Sequence, residues 1–172
     1  MGKRGIIKNN SSTPDVPSRV HGARWGLMRL ILASTSPRRA DLLRESGIAF
    51  QVIRPEVDEW TAEDFPEVAP GELARANARR KAKAVVQENP DRAVLAADTL
   101  VVCEGRILGK PADEERAKEM LGWLSGRIHE VVTAAVLMMP GGKKSREAVV
   151  RTRVKFRSLG PKEVSEIGRA HV

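Results

Sequence analysis

Leu30-Ile31-Leu32-Ala33-Ser34-Thr35-Ser36-Pro37-Arg38-Arg39-Ala40-Asp41-Leu42-Leu43-Arg44-Glu45-Ser46-Gly47 is the stretch on which the fold turns. Its apolar opening predicts a buried strand, and the residues from Ser36 onward predict a helix. Ser36 is a natural N-cap, Pro37 suits the first helical position, and Gly47 is a C-terminal stop. Extended structure resumes over 50–53, and an acidic, proline-bearing loop runs from Pro55 to Pro70. Residues 72–88 are rich in Ala, Arg and Lys, and the spacing of Leu73, Ala76, Arg80 and Ala84 predicts a second helix.

Beyond it, 93–97 begin a buried strand that continues past Asp98-Thr99 into 100–102, and Glu104-Gly105 turn it back toward Ile107-Leu108. Residues 113–124 read as a helix closed by Ser125-Gly126. Strands over 131–139 and 148–156 are joined by Pro140-Gly141-Gly142, and Gly160-Pro161 opens a last short helix. Strands and helices alternate first and a hairpin comes later. The expected fold is therefore α/β, a single domain with a mixed β-sheet flanked by helices.

Composition narrows the function. At 172 residues, with 41% hydrophobic and 30% charged, the chain suits one domain with tails and can bury a core. Three Phe, three Trp and no Tyr argue against an RNA-binding platform of stacked bases. The lone Cys103 excludes an intrachain disulfide or a cysteine-based zinc cluster, and it reads as a buried strand residue. The longest nearly unbroken apolar run, 131–139, is too short to span a bilayer, and the first 28 residues have no apolar segment of the signal-peptide kind. The expected compartment is the cytoplasm, with no membrane partner.

The net charge of +8 is unevenly placed. Lys3, Arg4, Lys8, Arg19 and Arg24 face only Asp15 in residues 1–28, a net +4, and Arg169 adds one more, leaving +3 for 29–166. An acidic small molecule accounts for that remainder as well as a nucleic acid does, and a nucleic-acid partner is not expected. Residues 1–27 lack a hydrophobic period and read as a disordered or non-native extension, with Met28 as the natural start of a domain over 28–166. Residues 167–172 read as a non-native tail. Gly168 falls where the turn begun at Pro161 should propagate, and the six residues match an in-frame reading of the sequencing-adapter string ATC GGA AGA GCA CAC GTC.

Several groups could carry chemistry. Ser34-x-Ser36-Pro37-Arg38-Arg39 sits between strand and helix, where unpaired N–H groups attract anions; the alternative is an ordinary capped helix with solvated arginines. Two arginines in that first turn have the wrong sign for the helix dipole unless an external anion, such as a triphosphate, accepts their donors. Asp98 lies in an apolar strand whose neighbours Ala96, Ala97, Leu100 and Val101 offer it no partner. It is a general base, a metal-associated group, or a structural carboxylate paired with a loop. Lys81, on the second helix, and Lys110, in Gly109-Lys110-Pro111, could each contact a phosphate or simply be solvated. Glu56, Asp58 and Glu59 form an acidic loop cluster of hard oxygens suited to Mg²⁺ or Mn²⁺, or a solvated loop. His129 lacks a Cys or Asp partner at catalytic or zinc spacing and reads as a strand-edge residue. Neither GxxxxGK[ST] nor GxGxxG occurs, which weakens P-loop and Rossmann readings.

In order, these pieces resemble the Maf family, the septum-formation-protein-like nucleoside triphosphate pyrophosphatases. The similarity is carried by Leu32-Ala33-Ser34-Thr35-Ser36-Pro37-Arg38-Arg39, Val57-Asp58-Glu59, Lys81-Ala82-Lys83-Ala84-Val85 and Ala97-Asp98-Thr99. It continues through Gly109-Lys110-Pro111, Leu124-Ser125-Gly126-Arg127-Ile128-His129-Glu130-Val131-Val132-Thr133 and Thr152-x-Val154-x-Phe156. Any one of these is weak; the colinear series is specific.

The resemblance implies a mixed-sheet α/β fold, a homodimer, and divalent-metal-dependent release of pyrophosphate from a nucleoside triphosphate. It implies Asp98 as proton acceptor, Arg38 and Thr99 as specificity residues, and phosphate contacts from Ser34, Arg39, Lys81 and Lys110, with Glu59 completing the substrate-binding set. Pro-Arg-Arg and Ala-Asp-Thr resemble the branch that acts on dTTP and UTP. The metal is expected to be Mg²⁺ or Mn²⁺, with its ligands left open. After Phe156 the family continues with a helix, a Lys-Ala-Gly-x-Tyr-x-x-Gln-Gly-like segment and final strands that have no counterpart here, so the domain is expected to be incomplete. The other reading is a non-catalytic nucleotide- or nucleic-acid-binding protein that keeps the phosphate pocket.

Overall fold

Strand β1 (Leu30–Ala33) is short and wholly apolar because it lies inside a sheet, with parallel neighbours on both sides. The computed structural model describes residues 30–169, and the expected extension over 1–27 and residues 170–172 lie outside them. From β1 the chain runs through α1 (Pro37–Glu45), β2 (Phe50–Ile53) and α2 (Pro70–Glu88) to the long strand β3 (Val94–Cys103). Then come β4 (Arg106–Leu108), α3 (Glu114–Leu124), β5 (Ile128–Met138), β6 (Ser145–Lys155) and α4 (Pro161–Arg169). The sheet order is β2-β1-β3-β5-β6, with β4 on the far part of β3. β1 is parallel to β2 and β3, whereas β3–β4, β3–β5 and β5–β6 are antiparallel. The expected single α/β domain with a mixed sheet is present.

Two crossovers run in opposite directions along the sheet, from β1 out to β2 and from β2 back past β1 to β3. Right-handedness therefore puts α1 and α2 on opposite faces of the sheet. Ile31, Ala33, Val94, Ala96, Ala134 and Val136 form the core with α2 residues Ala74, Ala78, Ala82, Val85 and Val86. Alanines along this contact let the helix lie close to the strands. The buried face of α2 is Leu73, Ala74, Asn77, Ala78, Lys81, Ala82, Val85 and Val86. The face expected from Leu73, Ala76, Arg80 and Ala84 is thus rotated, because Asn77 and Lys81, both polar, point inward.

Local signals explain the remaining boundaries. Asp113 caps α3 by accepting the Arg116 N–H at 2.7 Å. Glu104 (φ 50°) and Gly105 (φ 78°) make the two-residue left-handed turn that joins β3 to β4. The β5–β6 ladder is paired from Ile128↔Lys155 to Met138↔Ser145. Most of the residues it adds to the expected strands, His129, Glu130, Ser145, Arg146 and Glu147, are polar or charged, so an apolar pattern does not find them. α4 continues through Gly168 rather than breaking there. Gly168 is buried against α3, and a Cβ at this position would come within 2.8 Å of Lys118 Cγ. Among the described residues no helix is long and apolar enough to cross a membrane.

Candidate active site

The site arises where neighbouring strands end at different heights. β1 stops with Ala33 opposite Ala96, while β3 runs on to Cys103. Beyond that step α1 begins, and its first turn replaces the missing strand. Ser36 holds the cap position without a side-chain capping bond, so the first-turn N–H groups remain available to external acceptors. Arg39 reaches back from this turn: Nη1 donates to Ala97 O at 3.0 Å and Ser34 Oγ at 3.1 Å, and Nη2 to Thr99 Oγ1 at 3.0 Å. Ser34 Oγ also accepts the Ser36 N–H, and the Thr99 hydroxyl lies 3.1 Å from that of Thr133 across the β3–β5 pair. Burial lowers the Arg39 guanidinium pKa, the nearby Asp98 and Glu59 charges oppose that, and Arg38 adds to it.

Strand alternation turns Asp98 to the other face, toward α2. Asp98 is 5% exposed and Lys81 6%. Lys81 Nζ donates to Asp98 Oδ1 at 2.6 Å and contacts Glu59 Oε1, also at 2.6 Å. Glu59 Oε2 accepts from Lys110 at 2.9 Å. Burial alone would raise the Glu59 carboxyl, but hydrogen bonds and charge from Lys110 and Lys81 outweigh it and hold the pKa at about 2. Two cationic side chains, Lys81 and Lys110, therefore meet two carboxylates, Glu59 and Asp98, and the Arg39 guanidinium feels both carboxylate charges without touching them. The surplus is positive, which favours an entering anion.

The family described as Maf-like protein matches residues 29–170. The chain belongs to the Maf family. It is 47% identical over 135 residues to a dTTP/UTP pyrophosphatase of Akkermansia muciniphila, covering 78% of this chain and 69% of the relative. It is 46% identical over 138 residues to a dTTP/UTP pyrophosphatase of Symbiobacterium thermophilum, covering 80% and 69%. A dTTP/UTP pyrophosphatase of Syntrophomonas wolfei is 45% identical over 133 residues, covering 77% and 69%.

Of the residues singled out in the Maf chain, Ser34, Arg39 and Thr99 form one hydrogen-bonded group and Glu59, Lys81, Asp98 and Lys110 a second, the two meeting where Asp98 and Thr99 are adjacent in β3. Arg38 joins neither: the residue is exposed and makes no hydrogen bond or ion pair with the described residues. Glu56, Asp58 and Glu59 are all exposed, but of the acidic loop cluster only the Glu59 side chain reaches the lysines of the site. His129 lies at the end of β5, paired with β6 beyond the last β3 pair, and its ring is buried edge-on to Phe156 at 4.8 Å. Cys103 is buried at the end of β3 as expected.

The donor set fits a divalent cation in part. Two carboxylate oxygens, Glu59 Oε1 and Asp98 Oδ1, converge on the single ammonium of Lys81. Hard oxygens that already share one cation suit Mg²⁺ or Mn²⁺, which draw further ligands from water and phosphate. Among the described residues no third His, Cys, Asp or Glu completes a protein-only cage.

Two site residues were not legible in the sequence. Asn77 touches Asp98 and the loop carrying Glu59, and Thr133 touches Thr99. The available signal for Asn77 was its place in the middle of a helix, where a short amide side chain is a poor helix former, four residues from both Leu73 and Lys81. Thr133 offered none, since a β-branched residue is ordinary in a strand.

Proposed function

We propose that this chain hydrolyses dTTP and UTP to the nucleoside monophosphate and pyrophosphate. The observation that carries the proposal is the buried Asp98 carboxylate set among cationic and amide donors. A pocket that only bound phosphate would gain nothing from a buried negative charge, which counts against the non-catalytic alternative.

In this reading Lys81 and Lys110 exchange their carboxylate contacts for phosphate oxygens. Three of the five Arg39 N–H groups are engaged within the chain, leaving two for the same anion. Ser34 and the first-turn amides of α1 line the same edge. As Lys81 leaves, Asp98 Oδ1 becomes free to accept a proton from water. That water attacks the α-phosphorus, the bond from phosphorus to the bridging oxygen breaks, and pyrophosphate departs with the electron pair. Arg38 and Thr99 take the base-selecting roles. A divalent ion, held by Glu59 with water and phosphate as its further ligands, would supply charge neutralisation at the phosphoryl oxygens. A cytoplasmic homodimer completes the proposal.

The test is a panel of nucleoside triphosphates with Mg²⁺ or Mn²⁺, followed for monophosphate and pyrophosphate together with light scattering. Turnover of dTTP and UTP above purine triphosphates is expected, with equal release of both products. Release of orthophosphate alone, or binding without turnover, would overturn it.

A further inference from the structure

Asn77 is 2% exposed, and its amide is directed wholly into the site. Oδ1 accepts the Trp60 N–H at 2.8 Å, while Nδ2 donates to Trp60 O at 2.9 Å and to Asp98 Oδ2 at 3.3 Å. Bonding both backbone groups of one residue is what a neighbouring strand does. Here one side chain does it for a loop that has no strand beside it. Trp60 directly follows Glu59, so fixing its peptide fixes where Glu59 enters the site.

We infer that Asn77 is a positioning residue: it holds the Glu59 loop and the second oxygen of Asp98 in one register, leaving Oδ1 to Lys81 and to proton transfer. This rests on the reading of Asp98 as proton acceptor. The residue type follows from the bonds. Aspartate at 77 could not donate to Asp98, leucine could do neither job, and lysine would bring a second ammonium against Lys81. Arg80 provides the comparison. Its guanidinium lies 4.3 Å over the Trp60 ring and donates to Asp58 O at 3.3 Å, without reaching Asp98. Arg80 therefore holds the loop alone, whereas Asn77 joins the loop to the carboxylate.

The experiment uses the full chain with Asn77→Asp, Asn77→Ala and Arg80→Ala. It measures dTTP hydrolysis against pH, and cleavage by a glutamyl endopeptidase at the exposed Glu56, Glu63 and Glu67 of the loop. Asn77→Asp sets a carboxylate against Asp98. Its acid limb should move up by about one pH unit or more, with kcat down at least about tenfold and KM within about threefold. Both Asn77 variants should be cleaved faster than the parent. Arg80→Ala should be cleaved faster with its acid limb unmoved. An unmoved acid limb in folded Asn77→Asp overturns the link to Asp98, and unchanged cleavage of Asn77→Ala overturns the hold on the loop. If Asn77→Asp does not fold, Asn77→Ala decides through kcat and cleavage. If the parent itself turns over no triphosphate, the functional reading has failed, and cleavage still judges the amide.

Discussion

Lys81 and Asp98 are each buried, and each is the reason the other can stay charged. Removing one partner leaves an uncompensated charge in the interior, so Lys81→Met should cost about 3–5 kcal/mol in urea unfolding. Lys81→Met with Asp98→Leu should recover most of that loss, because the charge to be compensated is gone. A single-variant cost below about 1 kcal/mol would mean that water already reaches the pair. Asp98→Asn is nearly isosteric and keeps a contact for Lys81. It should lower dTTP turnover by about 10²–10⁴-fold while nucleotide binding is retained or tightens. Turnover within about threefold of the parent, a barrier change of only ~0.65 kcal/mol, would remove Asp98 from the base role. His129 gives a pH test that does not depend on catalysis. Burial lowers its pKa, and its Nδ1 is buried with no hydrogen-bond partner among the described residues. The folded chain thus binds this proton less readily than the unfolded chain, whose pKa is near 6.5. Stability is full above about pH 6.5 and falls as the pH drops below it. Unfolding midpoints at pH 7.5 and 5.5 should differ in the parent and converge in His129→Phe.

At the scale of single elements, the capped start of α3 offers a clean number. Asp113→Ala removes the acceptor of the Arg116 N–H and should cost about 1 kcal/mol in thermal or urea unfolding; no change would show that water serves the helix end equally well. The helix this cap opens was legible in the sequence, as were the Glu104-Gly105 turn and the apolar runs of β1 and β3. Each depends only on residues close along the chain. The partners of Asp98 were not legible, because Lys81 is 17 residues away and Arg39 meets Thr99 across 60. Strand order creates both meetings. The inward face of α2 was misread for a related reason. Asn77 and Lys81 occupy core positions for the sake of Asp98, so a helix judged by its apolar residues is rotated away from the site. Composition and spacing alone do not tell Arg38 from Arg39; only the family resemblance gives them different roles. In the fold one is exposed and the other crosses to β3.

For the whole molecule, the sheet has two long-range features: an outer strand and a buried first strand. β6 pairs with β5 alone among the described residues, and its Val150 is 58% exposed. An open edge of this length is a template for pairing with another chain. Val150→Lys should therefore reduce aggregation on heating, with dTTP turnover unchanged and unfolding free energy within about 0.5 kcal/mol of the parent. Unchanged aggregation would exonerate this edge. The first strand has its own consequence, in time rather than space. β1 is among the earliest described residues to leave the ribosome, yet its partner Val94 follows Ile31 by 63 positions. Until β3 emerges, β1 can pair only with β2, and the apolar side meant for Ala96 stays bare. Closing so long a loop is slow compared with helix formation. α1 and α2 can thus form before the sheet that joins them, and the ledge between β1 and β3 that holds the site is built by the same late event that completes the core. A nascent chain halted before residue 94 would carry both helices, with Arg39 and Lys81 on them, and no Asp98 for them to meet.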